Sequence, residues 1–370
     1  MSRTRTVYLY GSVFLIRADL ELRIPKFSER KSSSLQINDD IYEILRRSLA
    51  GYQISRSECL RLMEIENGSP DMYHLFFVAN RLTHEKFNGS GEVHAQVGID
   101  FASCPRKCLF CVFGSASSEH LELSKEEVVS RAKLFEEGGA DAIYLMTTAG
   151  FDFDRYLDIG GAVREAVSPR MPLVANIDDF GPSEAQELVD EGFTATYHVV
   201  RLREGRDTEI KPETRIATIK NASRAGLKIF FCVEPVGPEH TSEEIVDLMF
   251  LGRELGVAFS GAMRRTSVPG TPLQRYGEIR WIELAKIVAV TRLVMGDSVA
   301  AHCTHEPNLP SLMAGANLVW AETGPNPRDI CPDTSRRGGR GLTVQECKSL
   351  LWEAGFKTGR SQDLQHRHQE

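Results

Sequence analysis

From Val93 onward the chain repeats one pattern: a short apolar run, an amphipathic stretch of about 15 residues, then another apolar run. The runs are Val97–Phe101, Ala142–Met146, Leu173–Ile177, Ala195–Val200, Ile229–Val233, Phe259–Met263, Val299–His302 and Leu318–Ala321. Each but the last is followed by a helix-like stretch, and several stretches stop at glycine, as at Gly138-Gly139, Gly192, Gly226 and Gly256. Repeated βα units require parallel strands with right-handed crossovers. Eight of them predict an α/β fold, a (β/α)8 TIM-type barrel, whose chemistry belongs at the C-terminal ends of the strands.

The predicted organisation is an N-terminal arm and helical region over 1–90, the barrel over 91–325, a C-terminal cover and helix over 326–358, and a disordered tail over 359–370. The helical region carries Ile41, Ile44, Leu45 and Leu49 at helical spacing, and Thr343–Ala354 is a second amphipathic helix. The apolar run Val7–Ile16 meets Arg17, Asp19 and Glu21 rather than a small-residue cleavage site. It is read as a strand or packed arm, not a targeting segment or membrane span. With 44 Lys+Arg against 51 Asp+Glu, the 370-residue chain has net charge −7. That balance speaks against a nucleic-acid platform. Eight cysteines are too few for a disulfide scaffold at this length, so their purpose is the question the composition raises.

Three of them answer it together. The first run leads directly into Cys104-Pro105-Arg106-Lys107-Cys108-Leu109-Phe110-Cys111. Thiolates spaced four and three apart on one loop can converge on an iron–sulfur cluster. A structural zinc site normally closes four ligands; only His94 and His120 stand nearby to complete one.

A C-x3-C-x2-C loop after the first barrel strand, with Phe110 before the third cysteine, resembles the radical S-adenosylmethionine (SAM) superfamily. The resemblance implies a [4Fe–4S] cluster on Cys104, Cys108 and Cys111, with SAM chelating the fourth iron and Phe110 lying against the adenine. One-electron cleavage of SAM would release a 5′-deoxyadenosyl radical that takes hydrogen from the substrate, hard chemistry carried by the cofactor. The likeness extends over about 39–356 and is similar to the biotin synthase branch, which includes the [FeFe]-hydrogenase maturase, methylornithine synthase and the thiazole-forming tyrosine lyase. Gly181-Pro182-Ser183-Glu184-Ala185-Gln186 and Val268-Pro269-Gly270-Thr271-Pro272-Leu273 carry that match, with Met313-Ala314-Gly315-Ala316-Asn317. After the fourth run, Arg201, Arg203 and Glu204 resemble the Arg and Glu that the maturase and methylornithine synthase use, implying contacts to SAM's amino acid and ribose. Thr147 and Thr148 replace the Gly-Gly-Glu of many members and are candidates for the SAM amino group; Asn176, at the third strand's end, completes the cofactor-binding set.

Of the remaining cysteines, Cys59 and Cys347 fall in helices and read as packing. Cys232, Cys303 and Cys331 follow the fifth, seventh and eighth runs, where a closed barrel would turn them toward its mouth. They are candidates for an auxiliary iron–sulfur cluster, with His302, His305 or Ser335 as a fourth ligand; the alternative is wall packing. Cys232 matches a biotin synthase cluster ligand, whereas Met146, Asn176 and His302 stand where others would be. Asp178, Glu234, Arg264 and Arg265 make the mouth polar and basic, and Ser335–Gly341 is a candidate lid, either for an anionic substrate or simply solvated.

The leading functional reading is sulfur insertion at unactivated carbon, as in biotin and lipoyl synthases, because a radical mutase would not need extra mouth cysteines. The alternatives are a radical mutase or lyase on an amino-acid-like substrate, and a non-catalytic iron–sulfur assembly protein. The expected partners are a small-molecule or carrier-bound substrate and a flavodoxin- or ferredoxin-type electron donor. Neither nucleic acid nor membrane is expected; a homodimer and a cytoplasmic location are.

Overall fold

Helices form where a polar side chain accepts the first free N–H groups and end where glycine admits a left-handed turn. Ser124 accepts from the Glu127 N–H while the Glu127 carboxylate takes the Ser124 N–H, opening α5 (Lys125–Gly138); Gly139, at φ 78°, closes it. Ser55, Thr241 and Thr343 open helices with the same reciprocal pair. The computed structural model describes residues 5–9, 12–16, 36–115, 120–329, 334 and 341–358. Residues 1–36 form a unit of their own, in which β1 (Arg5–Leu9) pairs antiparallel with β2 (Ser12–Ile16).

In the larger unit, α1 (Asp39–Leu49), α2 (Arg56–Met63) and α3 (Pro70–Lys86) precede β3 (Ser90–Gly98). A small antiparallel pair, β4 (Asp100–Phe101) and β5 (Leu121–Glu122), flanks α4 (Val112–Ser115). The alternation then runs β6 (Ala142–Met146), α6 (Phe153–Ala166), β7 (Leu173–Asn176), α7 (Pro182–Asp190), β8 (Ala195–Tyr197) and α8 (Pro212–Ala225). The fifth strand is broken into β9 (Lys228–Phe230) and β10 (Val233–Val236). After it come α9 (Ser242–Glu254), β11 (Phe259–Arg264), α10 (Trp281–Met295), β12 (Ala301–Thr304), α11 (Leu309–Met313), β13 (Leu318–Thr323), α12 (Val344–Glu353) and β14 (Lys357–Thr358).

Every barrel pairing is parallel, from β3–β6 round to β13–β3, and β11 contacts both pieces of the fifth strand, so eight strands close. The expected barrel is present. Its eighth helix is α12, which packs on β13 and β3, so the helix expected in a C-terminal cover completes the barrel wall instead. Outside the wall, α3 and α2 lie over α10, whose residues 284–295 are buried all round apart from Lys286. A helix walled in on both sides is apolar throughout. Among the described residues no helix is long and apolar enough to cross a membrane.

Side chains alternate in and out along each strand, and three interior layers follow. The lowest is aromatic: His94, Tyr144, Phe230, Phe259 and Trp320 pack with ring centroids 4.7–6.0 Å apart. Two residues further along each strand stand Gln96, Met146, Cys232, Gly261 and Glu322. The third layer holds Gly98, Glu234 and Met263. Because the bottom is plugged by rings, open space lies only above them.

Candidate active site

The thiol loop is pinned between β4 and α4. The Cys104 N–H donates to the Phe113 carbonyl, the Val112 N–H to Pro327, and the Leu109 N–H to Asp207. A Cβ on Gly114 would stand 2.6 Å from the Cys108 carbonyl oxygen, so the loop closes against α4 only because this residue is glycine. Cys104, Cys108 and Cys111 line one wall of a cavity at the C-terminal ends of the strands. Burial pushes the Cys108 thiol up and the Cys111 thiol up to about 12. Without a metal the Cys108 and Cys111 sulfurs are therefore held neutral; a bound cation would convert them to thiolate ligands. A loop presenting three thiols to one cavity therefore fits an iron–sulfur cluster. The alternative zinc ligands lie elsewhere: His94 is bonded to Tyr144 in the aromatic layer, and His120 is exposed beside Glu122.

Phe110, Thr147, Thr148, Asn176 and Arg201 also line the cavity. The backbone N–H and hydroxyl of Thr148 both bond to buried Asp100, whose carboxyl burial pushes above its usual range. Thr148 is thus spent on anchoring β4, whereas Thr147 has no bond to Asp100. Asn176 donates to Gln96 at 3.0 Å across the cavity floor. The Arg201 guanidinium is held near Cys108, with its nearest carboxylate oxygens, on Glu234 and Glu204, at 3.9 and 4.0 Å. Those carboxylates keep its pKa above the ordinary arginine value despite burial.

Two of the expected SAM contacts are not placed to make them. Arg203 takes φ 57° and turns outward to a bidentate pair with Glu244 at 2.7 and 3.0 Å. Glu204 is fully enclosed: its oxygens accept from the Arg201 N–H at 2.9 Å and the Thr208 hydroxyl at 2.6 Å. It braces the turn that presents Arg201 and does not border the cavity.

The extra cysteines are also placed differently from expectation. Cys232, at the break between β9 and β10, and Cys303, on β12, face inward but lie one layer below Glu234 and His305, fully buried rather than at the mouth. Their sulfurs are 3.6 Å apart. They meet across β11 because Gly261 stands between them; a Cβ there would lie 2.3 Å from the Cys303 sulfur. His302 points outward to the Val288 carbonyl of α10 at 2.9 Å, and Arg264 lies over the Trp281 ring at 3.3 Å. Neither borders the cavity; strand alternation gives that place to His305 and Arg265. Cys331 and Ser335 lie outside the described residues. Cys59 and Cys347 are buried packing thiols, as expected.

Sequence reasoning assigned no site role to the lining residues Gln96, Arg106, Arg215 and Arg328, nor to Glu322, which lies behind Gln96 and Arg328. Gln96 and Glu322 each stand two residues after an inward ring (His94, Trp320); Gln96 was out of reach because the first strand is Ser90–Gly98, not the run Val97–Phe101 expected for it. Arg328 arrives on the segment after β13, which crosses the barrel top where Gly98 leaves room for the Pro325 carbonyl.

No family model matches the chain. It is 26% identical over 264 residues to biotin synthase of Nocardioides sp., spanning 68% of this chain and 70% of that one. Biotin synthase of Carboxydothermus hydrogenoformans is 25% identical over 299 residues, spanning 75% and 90%. Among solved structures, methylornithine synthase superposes with TM-score 0.74 at 15% identity, covering 87% of this chain and 99% of that one. The [FeFe]-hydrogenase maturase HydG superposes at 0.72 and 15% identity, covering 89% and 78%. A parallel barrel carrying a three-thiol loop at its open end, with these relatives, defines a radical SAM enzyme that uses a [4Fe–4S] cluster and SAM. Within that superfamily its sequence and structural likenesses fall in the biotin synthase-like branch.

Proposed function

We propose that the enzyme inserts sulfur at unactivated carbon. The observation that carries this reading is the thiol pair Cys232/Cys303, 3.6 Å apart beneath the cavity floor, since hydrogen abstraction alone requires only the three-thiol loop. The pair offers two soft ligands for a sulfur-bearing iron cluster within one layer of the substrate space. Burial holds Cys232 well above the ordinary thiol range, so it too becomes a ligand only when a metal supplies positive charge.

When bound, the reduced cluster and SAM supply a 5′-deoxyadenosyl radical that removes hydrogen from carbon. The chain's own residues hold and shield that chemistry. Cys104, Cys108 and Cys111 are the cluster ligands in this reading. Arg201, poised by Glu204, takes the SAM carboxylate; Thr147 takes its amino group, and Phe110 lies against the adenine. The segment carrying Pro327 and Arg328 covers the top and excludes water. A flavodoxin- or ferredoxin-type donor would supply the electron, in the reducing setting of the cytoplasm.

Iron and sulfide counts on anaerobically reconstituted protein test the proposal. Wild type should hold about six to eight irons, and Cys232→Ala with Cys303→Ala should reduce the count to about four. A count near four in wild type, unmoved by both substitutions, would show that no second cluster forms and sink the sulfur-insertion reading.

A further inference from the structure

The charges around the cavity are already spoken for, and that limits what can enter. Five arginines border it and no lysine does, among the described residues. Arg106 is bidentate to Asp178 at 2.7–3.1 Å. Arg265 grips both oxygens of Glu239 and the Gly277 carbonyl. Arg328 holds both oxygens of Glu322 at 2.6 and 2.7 Å and reaches Glu306 at 3.1 Å. Arg215 lies 3.3 Å from Asp179 and 3.6 Å from Glu204. Arg201 keeps its nearest carboxylates at 3.9 and 4.0 Å, and it stands beside Cys108, where the cofactor's own carboxylate is placed above.

A second carboxylate reaching for Arg265 or Arg328 would have to displace Glu239 or Glu322 and leave it buried and unpaired, a strongly unfavourable exchange. The rest of the wall offers no further cation of the lysine or arginine kind: apolar Met146, Ile177, Val199, Pro235 and Met263 stand there among polar groups such as Gln96, Asn176 and Thr266. We infer that the substrate segment admitted here is an uncharged hydrocarbon chain, whose carboxyl group is masked as an amide or ester or stays outside the cavity. Free amino acids and free carboxylates are excluded. This deepens the sulfur-insertion reading and rests on it, but hydrogen abstraction precedes sulfur transfer, so the two can be tested apart.

The test uses reconstituted holoenzyme with SAM and dithionite. Perdeuterated n-alkyl amides of four to ten carbons are compared with perdeuterated ornithine, lysine and the matching free carboxylates. Deuterium in 5′-deoxyadenosine is read by mass spectrometry. At least one amide should transfer deuterium about 100-fold faster than any charged probe. Equal transfer from ornithine, lysine or a free carboxylate, or transfer from none of the amides, overturns the inference. Glu239→Gln releases Arg265, and Glu322→Gln independently releases Arg328. Either variant should improve the free carboxylate relative to its amide by at least tenfold. If both fold and neither does so, neutralised arginines are not what sets the specificity. Loss of sulfur transfer with intact deuterium transfer from amides would refute the parent reading and leave this one standing.

Discussion

Gly98→Ala probes how the barrel top and the thiol loop depend on one another. An added Cβ would stand 1.7 Å from the Pro325 carbonyl oxygen and 2.7 Å from its carbon, both backbone atoms that cannot rotate away. Restoring ordinary contact requires a shift of about 1.5 Å in β3 or in the crossing segment, an overpacking strain of about 1–3 kcal/mol. The same shift pulls the Pro327 carbonyl off the Val112 N–H, now 3.1 Å away, leaving a buried donor unsatisfied at about 1–3 kcal/mol more. The sum is about 2–6 kcal/mol, or roughly 3–8 °C in the apparent melting midpoint of a chain this long. Because Val112 follows Cys111 directly, iron retained after reconstitution should also fall to below about half. The control is Gly256→Ala, where φ is 65° but nothing lies within 4 Å, so only backbone strain of about 1–2 kcal/mol is added. A Gly98→Ala protein that melts with wild type and keeps its iron would show that the crossing is not tight and that the thiol loop does not rest on it.

Acid sensitivity should trace in part to His302, which burial and the nearby Arg292 lower to about 3. Above pH 6.5 the ring is neutral folded or unfolded; below it the unfolded chain takes a proton that the native state refuses, costing about 1.4 kcal/mol per pH unit. Between pH 7.5 and 5.0, His302→Gln should therefore lose about 2 kcal/mol less stability than wild type in urea titrations; equal losses would contradict the assignment. Arg201→Gln should weaken SAM binding by about 10- to 100-fold in equilibrium dialysis, whereas Arg203→Gln should leave it within about twofold. The reverse order would mean that the turn at Glu204 presents the other arginine.

The barrel was legible because its signal is repeated eight times and rests on period alone. The side of each strand was not. Buried parallel strands are apolar on both faces, so nothing in His302-Cys303 or Arg264-Arg265 says which of two neighbours turns inward, and a one-residue error exchanges them. The thiol loop needed no such decision, since all three cysteines share one loop. At Arg201–Glu204 the difficulty was conformational: the left-handed turn at Arg203 sends adjacent side chains in opposite directions, and no residue there is a glycine to announce it. The pairing of Cys232 with Cys303 depends on Gly261, a residue on a third strand about 30–40 positions from each.

The enclosure of α10 by the N-terminal helices sets a schedule for making the protein. α3 is complete by Lys86, but the helix it packs against begins at Trp281. At 5–20 residues per second, synthesis separates the two surfaces by about 10–40 s. For that time the faces of α2 and α3 that α10 will cover have only the neighbouring N-terminal helices beside them. The strand that closes the barrel appears later still. The helical preface cannot mature on the ribosome as a finished domain, and the growing chain needs either a holding partner or enough solubility to wait for its own far end.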